Sequence, residues 1–339
     1  MTRSQFLRVA GLCALERLIS PCSAVFASAE NDAIERLVAE SFVMDGNVNL
    51  GMDRGGKYAP LEPGAIKRLT GISAGNHTVR PESIESLNRK IEANPKALMK
   101  IERASDFDAI SKTSRYGAIL YIQGGFNLKG SVEPLAQWKA QGLRTLQLTM
   151  ENNELGGGTA GDGLPLTEFG KRVVRELNRL RMVVDVSHSG RRTTLDAANA
   201  SSQPITANHA NVEALTPHVR NKSDEELKAI AATGGVVAAT NINRYFLRDS
   251  RRPATIDDFV AHVDALVQRI GIDHVGISSD SYLDGSQRFD VDYSDHFMAS
   301  AGRWKHVARR LADKGYSTGD LKKILGQNFR RVYERVLDP

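Results

Sequence analysis

Two histidines each close a short β-branched run, Met182-Val-Val-Asp-Val-Ser-His188 and Pro204-Ile-Thr-Ala-Asn-His209. Two neutral imidazoles brought side by side can hold one zinc ion and leave a position open for water, provided further donors join them. An ion of that kind lowers the pKa of its water towards ~7, which makes hydroxide available for attack on a carbonyl. A carboxylate, Asp280, ends a third run, His274-Val-Gly-Ile-Ser-Ser-Asp280, and has the chemistry of a general base or of a group that orients water. Aspartate after a strand also caps helices, so Asp280 alone decides nothing.

These groups can meet only if the elements that carry them end on the same side. Both histidine runs read as buried parallel strands, and Arg191 to Ser202 between them has helical composition, so the unit reads strand, helix, strand. Eight such runs begin near residues 42, 71, 118, 143, 182, 204, 235 and 274, with helical patterns between most of them. Among these patterns are Pro81 to Ala93, Thr167 to Arg181 and Thr255 to Ile270. Eight alternations predict a single α/β domain, a (β/α)8 TIM-type barrel, and no GxGxxG fingerprint favours a doubly wound sheet. In such a barrel chemistry is built at the C-terminal ends of the strands, which here carry Asn47 and Asn49, Gln123, Met150, His188, His209 and Asp280. His274 stands at the opposite end of its strand and reads as structural, and His77, His218, His262, His296 and His306 lie off the strand ends. The tail, Arg303 to Leu337, predicts two more amphipathic helices that close the barrel's side.

Composition narrows the class. Of the formal net charge of +5, Arg3, Arg8 and Arg17 against Glu16 place +2 in the first 29 residues, so the body is nearly balanced and has no basic run suited to nucleic acid. Cys13 and Cys22 both lie in that stretch, which leaves the body without a disulfide or a thiolate metal site. Residues 1–29 read as an export signal, with Arg3 and Arg8 before an apolar stretch and Ala27-Ser28-Ala29 as the cleavage site, although Glu16 and Arg17 interrupt it. Thr2 to Leu7 resembles a twin-arginine motif with one arginine missing. The expected product is an exported domain, residues 30–339, in the periplasm or outside the cell, without a transmembrane span.

Several stretches, taken in order, resemble the membrane (renal) dipeptidase family. They are Leu166-Thr-Glu-Phe-Gly-Lys-Arg-Val-Val-Arg-Glu-Leu-Asn-Arg-Leu180, Asp185-Val-Ser-His188, Asn208-His209, Arg220-Asn221, Gly234-Gly235-Val236, Asp273-His-Val-Gly-Ile-Ser-Ser-Asp280 and Lys323-Ile-Leu-Gly-Gln-Asn-Phe-Arg-Arg-Val332. The resemblance runs over roughly residues 40 to 338 and implies a barrel of the metal-dependent hydrolase kind, in which two zinc ions hydrolyse dipeptides, including some with a C-terminal D-residue. It implies His188 and His209 as ligands of one metal, Asp280 as the aspartate beside the metals, and Arg220 as the side chain that binds the substrate carboxylate. The family's His-x-Asp after the first strand is Asn47-Val48-Asn49 here, its bridging glutamate is Gln123, and its substrate-contacting histidine is Met150.

Amide oxygens are weak zinc ligands beside imidazole and carboxylate. One zinc ion at most is therefore expected, on His188 and His209 with the Gln123 carbonyl oxygen as a weak further donor, and the second metal site is expected to be lost. Met150 removes a donor to the tetrahedral intermediate, a loss of ~10²-fold or more. The expectation is a hydrolase of dipeptides or similar small amides. The alternative is a catalytically inactive dipeptidase-like protein that binds a small peptide-like ligand. A homodimer is compatible with both.

Overall fold

The computed structural model describes residues 33–50, 62–125, 128–242, 252–283 and 300–338. The expected export signal lies outside the described residues. The eight apolar runs form β1 (Met44–Asp45), β2 (Ala74–Val79), β3 (Tyr116–Gln123), β4 (Leu143–Gln147), β5 (Val183–Asp185), β6 (Ile205–Ala207), β7 (Val236–Thr240) and β8 (Val275–Ser278). Each pairs in parallel with the next and β8 pairs with β1, so the sheet closes on itself as a (β/α)8 barrel. Parallel pairing requires crossovers, and helices over Ile84–Glu92, Glu133–Ala140, Glu168–Arg179, Arg191–Ala200, Asp224–Ala232 and Ile256–Ile270 provide them.

Local chemistry sets where these helices start. The Thr167 hydroxyl accepts the Gly170 amide at 3.0 Å, and Ser223 with Glu226 and Thr255 with Asp258 form reciprocal capping boxes. Glu168–Arg179 buries Gly170, Val173, Val174 and Leu177, the three-to-four spacing that puts one face on the barrel.

The edges of the expected elements move where glycine and proline act. The second strand starts at Ala74 rather than Gly71, because Gly71, at φ 74°, ends a helix over Ala65–Thr70 in the left-handed conformation. Pro81–Ser83 is a 3-10 turn that leads into the helix Ile84–Glu92. A helix over Ser105–Lys112 and a three-residue strand, Leu98–Lys100, paired to the start of β3, also escaped the sequence pattern. Among the described residues no helix is long and apolar enough to cross a membrane.

The tail corrects the expectation that both of its helices cover the barrel's side. Arg303–Asp313 does lie beside Ile256–Ile270, with Trp304 and Phe259 ring centroids 6.0 Å apart. Asn328–Leu337 instead plugs the N-terminal end of the barrel. Its Asn328 amide donates to the carbonyls of Ile272 (2.7 Å) and Val275 (2.8 Å) where the chain enters β8. Phe329, Val332, Tyr333 and Val336 pack with Met44, Ala74, Ile119, Val183, Val236 and Ala238, residues drawn from five strands. The Phe329 ring comes so close to β8 that a Cβ on Gly276 would lie 2.7 Å from it, which explains the glycine in that strand. Farther in, the Tyr333 hydroxyl donates to Asn76 Oδ1 at 2.6 Å and lies 2.7 Å from Thr145 Oγ1. An apolar helix face looks alike whether it covers a side or an end, so only the tertiary structure separates the two.

If this helix is the floor of the barrel, Phe329→Ala should lower the unfolding free energy by about 3–5 kcal/mol in urea titrations. Leu69→Ala, at a side chain 60% exposed, should change it by less than about 0.5 kcal/mol.

Candidate active site

At the ends of β5 and β6 the imidazoles of His188 and His209 meet, with Nε2 atoms 3.1 Å apart and ring centroids 5.1 Å apart. His209 is fully buried and His188 partly exposed. The surrounding bonds select a tautomer for His188. The Thr159 hydroxyl spends its one proton on the Met150 carbonyl (2.9 Å), so at 3.3 Å it accepts from His188 Nδ1 and leaves Nε2 with its lone pair. Burial pushes the His188 imidazole well below its ordinary pKa, and Arg220, His209 and Lys222 push the same way, so the ring is neutral at physiological pH.

A buried carboxylate holds the two histidine loops together. Asp185 Oδ1 accepts the backbone amides of Ser187 (3.1 Å) and Asn208 (2.9 Å) and the Ser187 hydroxyl (2.7 Å), and the Ser187 hydroxyl oxygen accepts the His209 amide at 3.1 Å. The Tyr121 hydroxyl donates to Asp185 Oδ2. Burial raises the Asp185 pKa, and the bonds from Ser187, Tyr121 and Asn208 oppose the rise. From the opposite side Arg220, only 4% exposed, donates to the carbonyls of Ser187 and, at 3.2 Å, of His209. Lys222 Nζ reaches the Ser189 carbonyl (2.5 Å), Thr194 Oγ1 (2.9 Å) and Glu226 Oε1 (3.1 Å).

The ends of β1 and β8 repeat this arrangement. Asp45, completely buried, accepts the amides of Asn47 (3.2 Å) and Ser279 (2.9 Å) on Oδ1. Just beyond, Asn47 Nδ2 donates to Asp280 Oδ1 at 2.8 Å, Thr78 Oγ1 donates to Asn47 Oδ1 at 3.1 Å, and Gln123 Nε2 donates to Thr78 Oγ1 at 2.7 Å. Asn49 sits opposite Tyr282 in a two-stranded parallel ladder formed by Val48–Asn49 and Ser281–Tyr282. Tyr121 stands between the two halves: its ring centroid is 6.5 Å from that of His209, and its hydroxyl is affected by the charges of both Asp185 and Asp280.

The structure thus groups His188 with His209, and Asn47 and Gln123 with Asp280. Met150 is partly exposed, and its main-chain carbonyl is linked to His188 through the Thr159 hydroxyl. Thr78, Asp45, Asp185 and Lys222 are parts of the site that the sequence pattern did not single out. Two nitrogens bound to one tetrahedral ion at about 2.0–2.1 Å stand roughly 3.3 Å apart, close to the spacing of the histidine pair. The Asn47 half does not fit a second ion, because its amides are engaged with one another through Thr78. Among the described residues no group of three or more His, Cys, Asp or Glu side chains gathers around one point.

Burial pushes the Asp45 carboxyl up to about 6, against the opposing effects of Arg303 and of the bonds from Ser279 and Asn47. Between pH 4 and 6 the folded state therefore holds a proton that the unfolded chain has lost, so this group's contribution to stability falls as pH rises through that window. Asn at position 45 keeps the Oδ1 acceptor and cannot ionise. Asp45→Asn should stabilise the protein more at pH 7 than at pH 4, with a difference on the order of 2–3 kcal/mol in urea unfolding at the two pH values.

Comparison with known proteins places this geometry in a family. The family model described as membrane dipeptidase (peptidase family M19) matches residues 70–338. The dipeptidase tcpJ of Claviceps purpurea is 29% identical over 261 residues, which are 76% of this chain and 60% of that protein. An amidohydrolase from Pseudomonas aeruginosa shares the fold with a TM-score of 0.79 at 24% identity, covering 90% of this chain and 99% of its own. A Rhodobacter sphaeroides metallopeptidase, solved with a phosphinate mimic of the dipeptide L-Ala-D-Ala, shares it with a TM-score of 0.75 at 20% identity, covering 87% of this chain and 99% of its own. The chain belongs to the membrane dipeptidase family, peptidase family M19.

Proposed function

We propose that this protein hydrolyses dipeptides or similar small amides, using one zinc ion held by His188 and His209. The observation that carries the reading is the convergence of the two Nε2 atoms at 3.1 Å. Bound there, the ion would supply Lewis acidity towards the amide carbonyl and a nucleophile at neutral pH. The Gln123 Oε1 oxygen is a weak further donor, turned away from Thr78 by the bond its Nε2 makes. Asp280, held by Asn47, takes the proton from the attacking water and passes it to the leaving amine. Arg220 adds positive charge behind both histidine loops, which favours a substrate carboxylate. Met150 offers only a thioether where a donor would stabilise the oxyanion, which predicts slow turnover. The N-terminal pattern, with Ala27-Ser28-Ala29 as its cleavage site, supports export of the domain.

A second reading, a barrel that binds a peptide-like ligand without turning it over, is favoured by the engaged amides of the Asn47 half. Metal analysis and dipeptide assays separate the two. The hydrolase reading expects about one zinc per chain and turnover that His188→Ala lowers by ~10³-fold or more. A metal-free protein without turnover that still binds a phosphinate dipeptide mimic in calorimetry would establish the second. Replacing Asn47→His, Asn49→Asp, Gln123→Glu and Met150→His together should raise metal content to about two ions per chain and increase dipeptidase activity, as a two-metal site requires. Unchanged metal content in the folded variant would contradict the placement of these four positions.

A further inference from the structure

Three side-chain hydrogen bonds in the Asn47 half run in one direction. Asn47 turns its amide nitrogen towards Asp280 and donates to Oδ1 at 2.8 Å. Asn47 Oδ1 then faces Thr78, whose hydroxyl must donate to it at 3.1 Å. That uses the only proton of the hydroxyl, so Thr78 Oγ1 accepts from Gln123, whose Nε2 lies at 2.7 Å. Reversing any one amide would put two donors or two acceptors against each other.

The backbone of Asp280 takes an uncommon conformation. It lies at φ 46°, in the left-handed region that a residue with a Cβ seldom adopts, and the Asp280 amide donates to the Asn47 carbonyl at 2.8 Å. Asn47 therefore grips Asp280 at both its main chain and its carboxylate. A residue kept in a sparsely populated conformation needs surroundings that over-determine it, and such residues cluster at functional sites.

We infer that Thr78 and Asn47 are positioning residues for Asp280, members of an uncharged one-way relay that runs from Gln123 through Thr78 and Asn47 and fixes the direction of that carboxylate. The relay performs by hydrogen bonding what a cation between carboxylates would do by charge, and it also directs Gln123 Oε1 away from Thr78. The part it plays in turnover rests on the proposed hydrolase reading. The relay itself is made of side chains alone.

The test uses the full chain in EDTA, so that neither metal nor activity enters, and follows thermal unfolding. Thr78→Val keeps the shape and removes the hydroxyl, and its Tm should fall by roughly 2–4 °C, whereas Thr78→Ser should stay within about 1 °C of the parent. Gln123→Met should lose a similar amount, and the double variant Thr78→Val with Gln123→Met should lose no more than the worse single change, because both cut the same relay. Asn47→Asp sets a second carboxylate against Asp280 and should lose more than Thr78→Val, with the loss recovered when the EDTA is replaced by magnesium chloride. Additive losses, a Thr78→Val protein as stable as Thr78→Ser, or an Asn47→Asp protein unaffected in EDTA would each overturn the relay. An inactive, metal-free protein that shows the expected melting pattern would overturn the hydrolase reading alone.

Discussion

The site depends on one interaction, made twice. A carboxylate with no access to water gathers backbone amides from two neighbouring strand ends, Asp45 across β1 and β8 and Asp185 across β5 and β6. In each case one amide belongs to the residue two positions on, Asn47 or Ser187, and the other to a residue just past the neighbouring strand, Ser279 or Asn208. The side chains that could do chemistry occupy or immediately follow these anchored positions: Asn47, Asp280, His188 and His209. Strand ends in a barrel are where loops leave the scaffold and freedom begins. A charge-assisted bond to the main chain removes that freedom at the last point where the sheet itself can no longer do so.

Burying a carboxylate carries a cost, and the raised pKa of both aspartates expresses it. The two groups offset it differently. Asp185 has a hydroxyl on each side, from Ser187 and Tyr121, besides its two amides. Asp45 has its amides and the charge of Arg303, a side chain itself completely buried, which donates to the Ser281 hydroxyl (3.2 Å) and the Tyr282 carbonyl (2.8 Å). Arg303 thereby ties the segment just after Asp280 to the tail helix, as Arg220 and Lys222 tie the segments around His188 to the loop after β6.

Much of this was legible in the residues. The histidine pair stood out because each imidazole follows a β-branched run and a helical segment separates the runs, and parallel strands joined by a crossover must end on the same side. Asp280 was readable for the same reason. Other parts were hidden by what a local pattern leaves undetermined. Asp45 and Asp185 read as the polar ends of apolar strands, with nothing to show that they turn back on the main chain. Thr78 follows Ala74 and Asn76 at the two-residue period of a strand, but its partners come from β3 and from the segment beyond β1, so no local signal marks it. The apolar face of Asn328–Leu337 announces that the helix packs, and not that it packs into an open end of the barrel.

Because Asp45, Asp185, Arg220 and Lys222 hold the loops through main-chain groups, the frame of the site does not depend on which side chains project from it. Main-chain bonds are indifferent to the identity of the residue that carries them, so amides can stand at positions 47 and 123, and a thioether at 150, on a barrel that still matches metallopeptidase folds. Fold and site chemistry are then set by separate groups of residues. The histidine half brings two imidazole nitrogens together, while the other half holds a buried carboxylate, Asp280, with the neutral amide of Asn47.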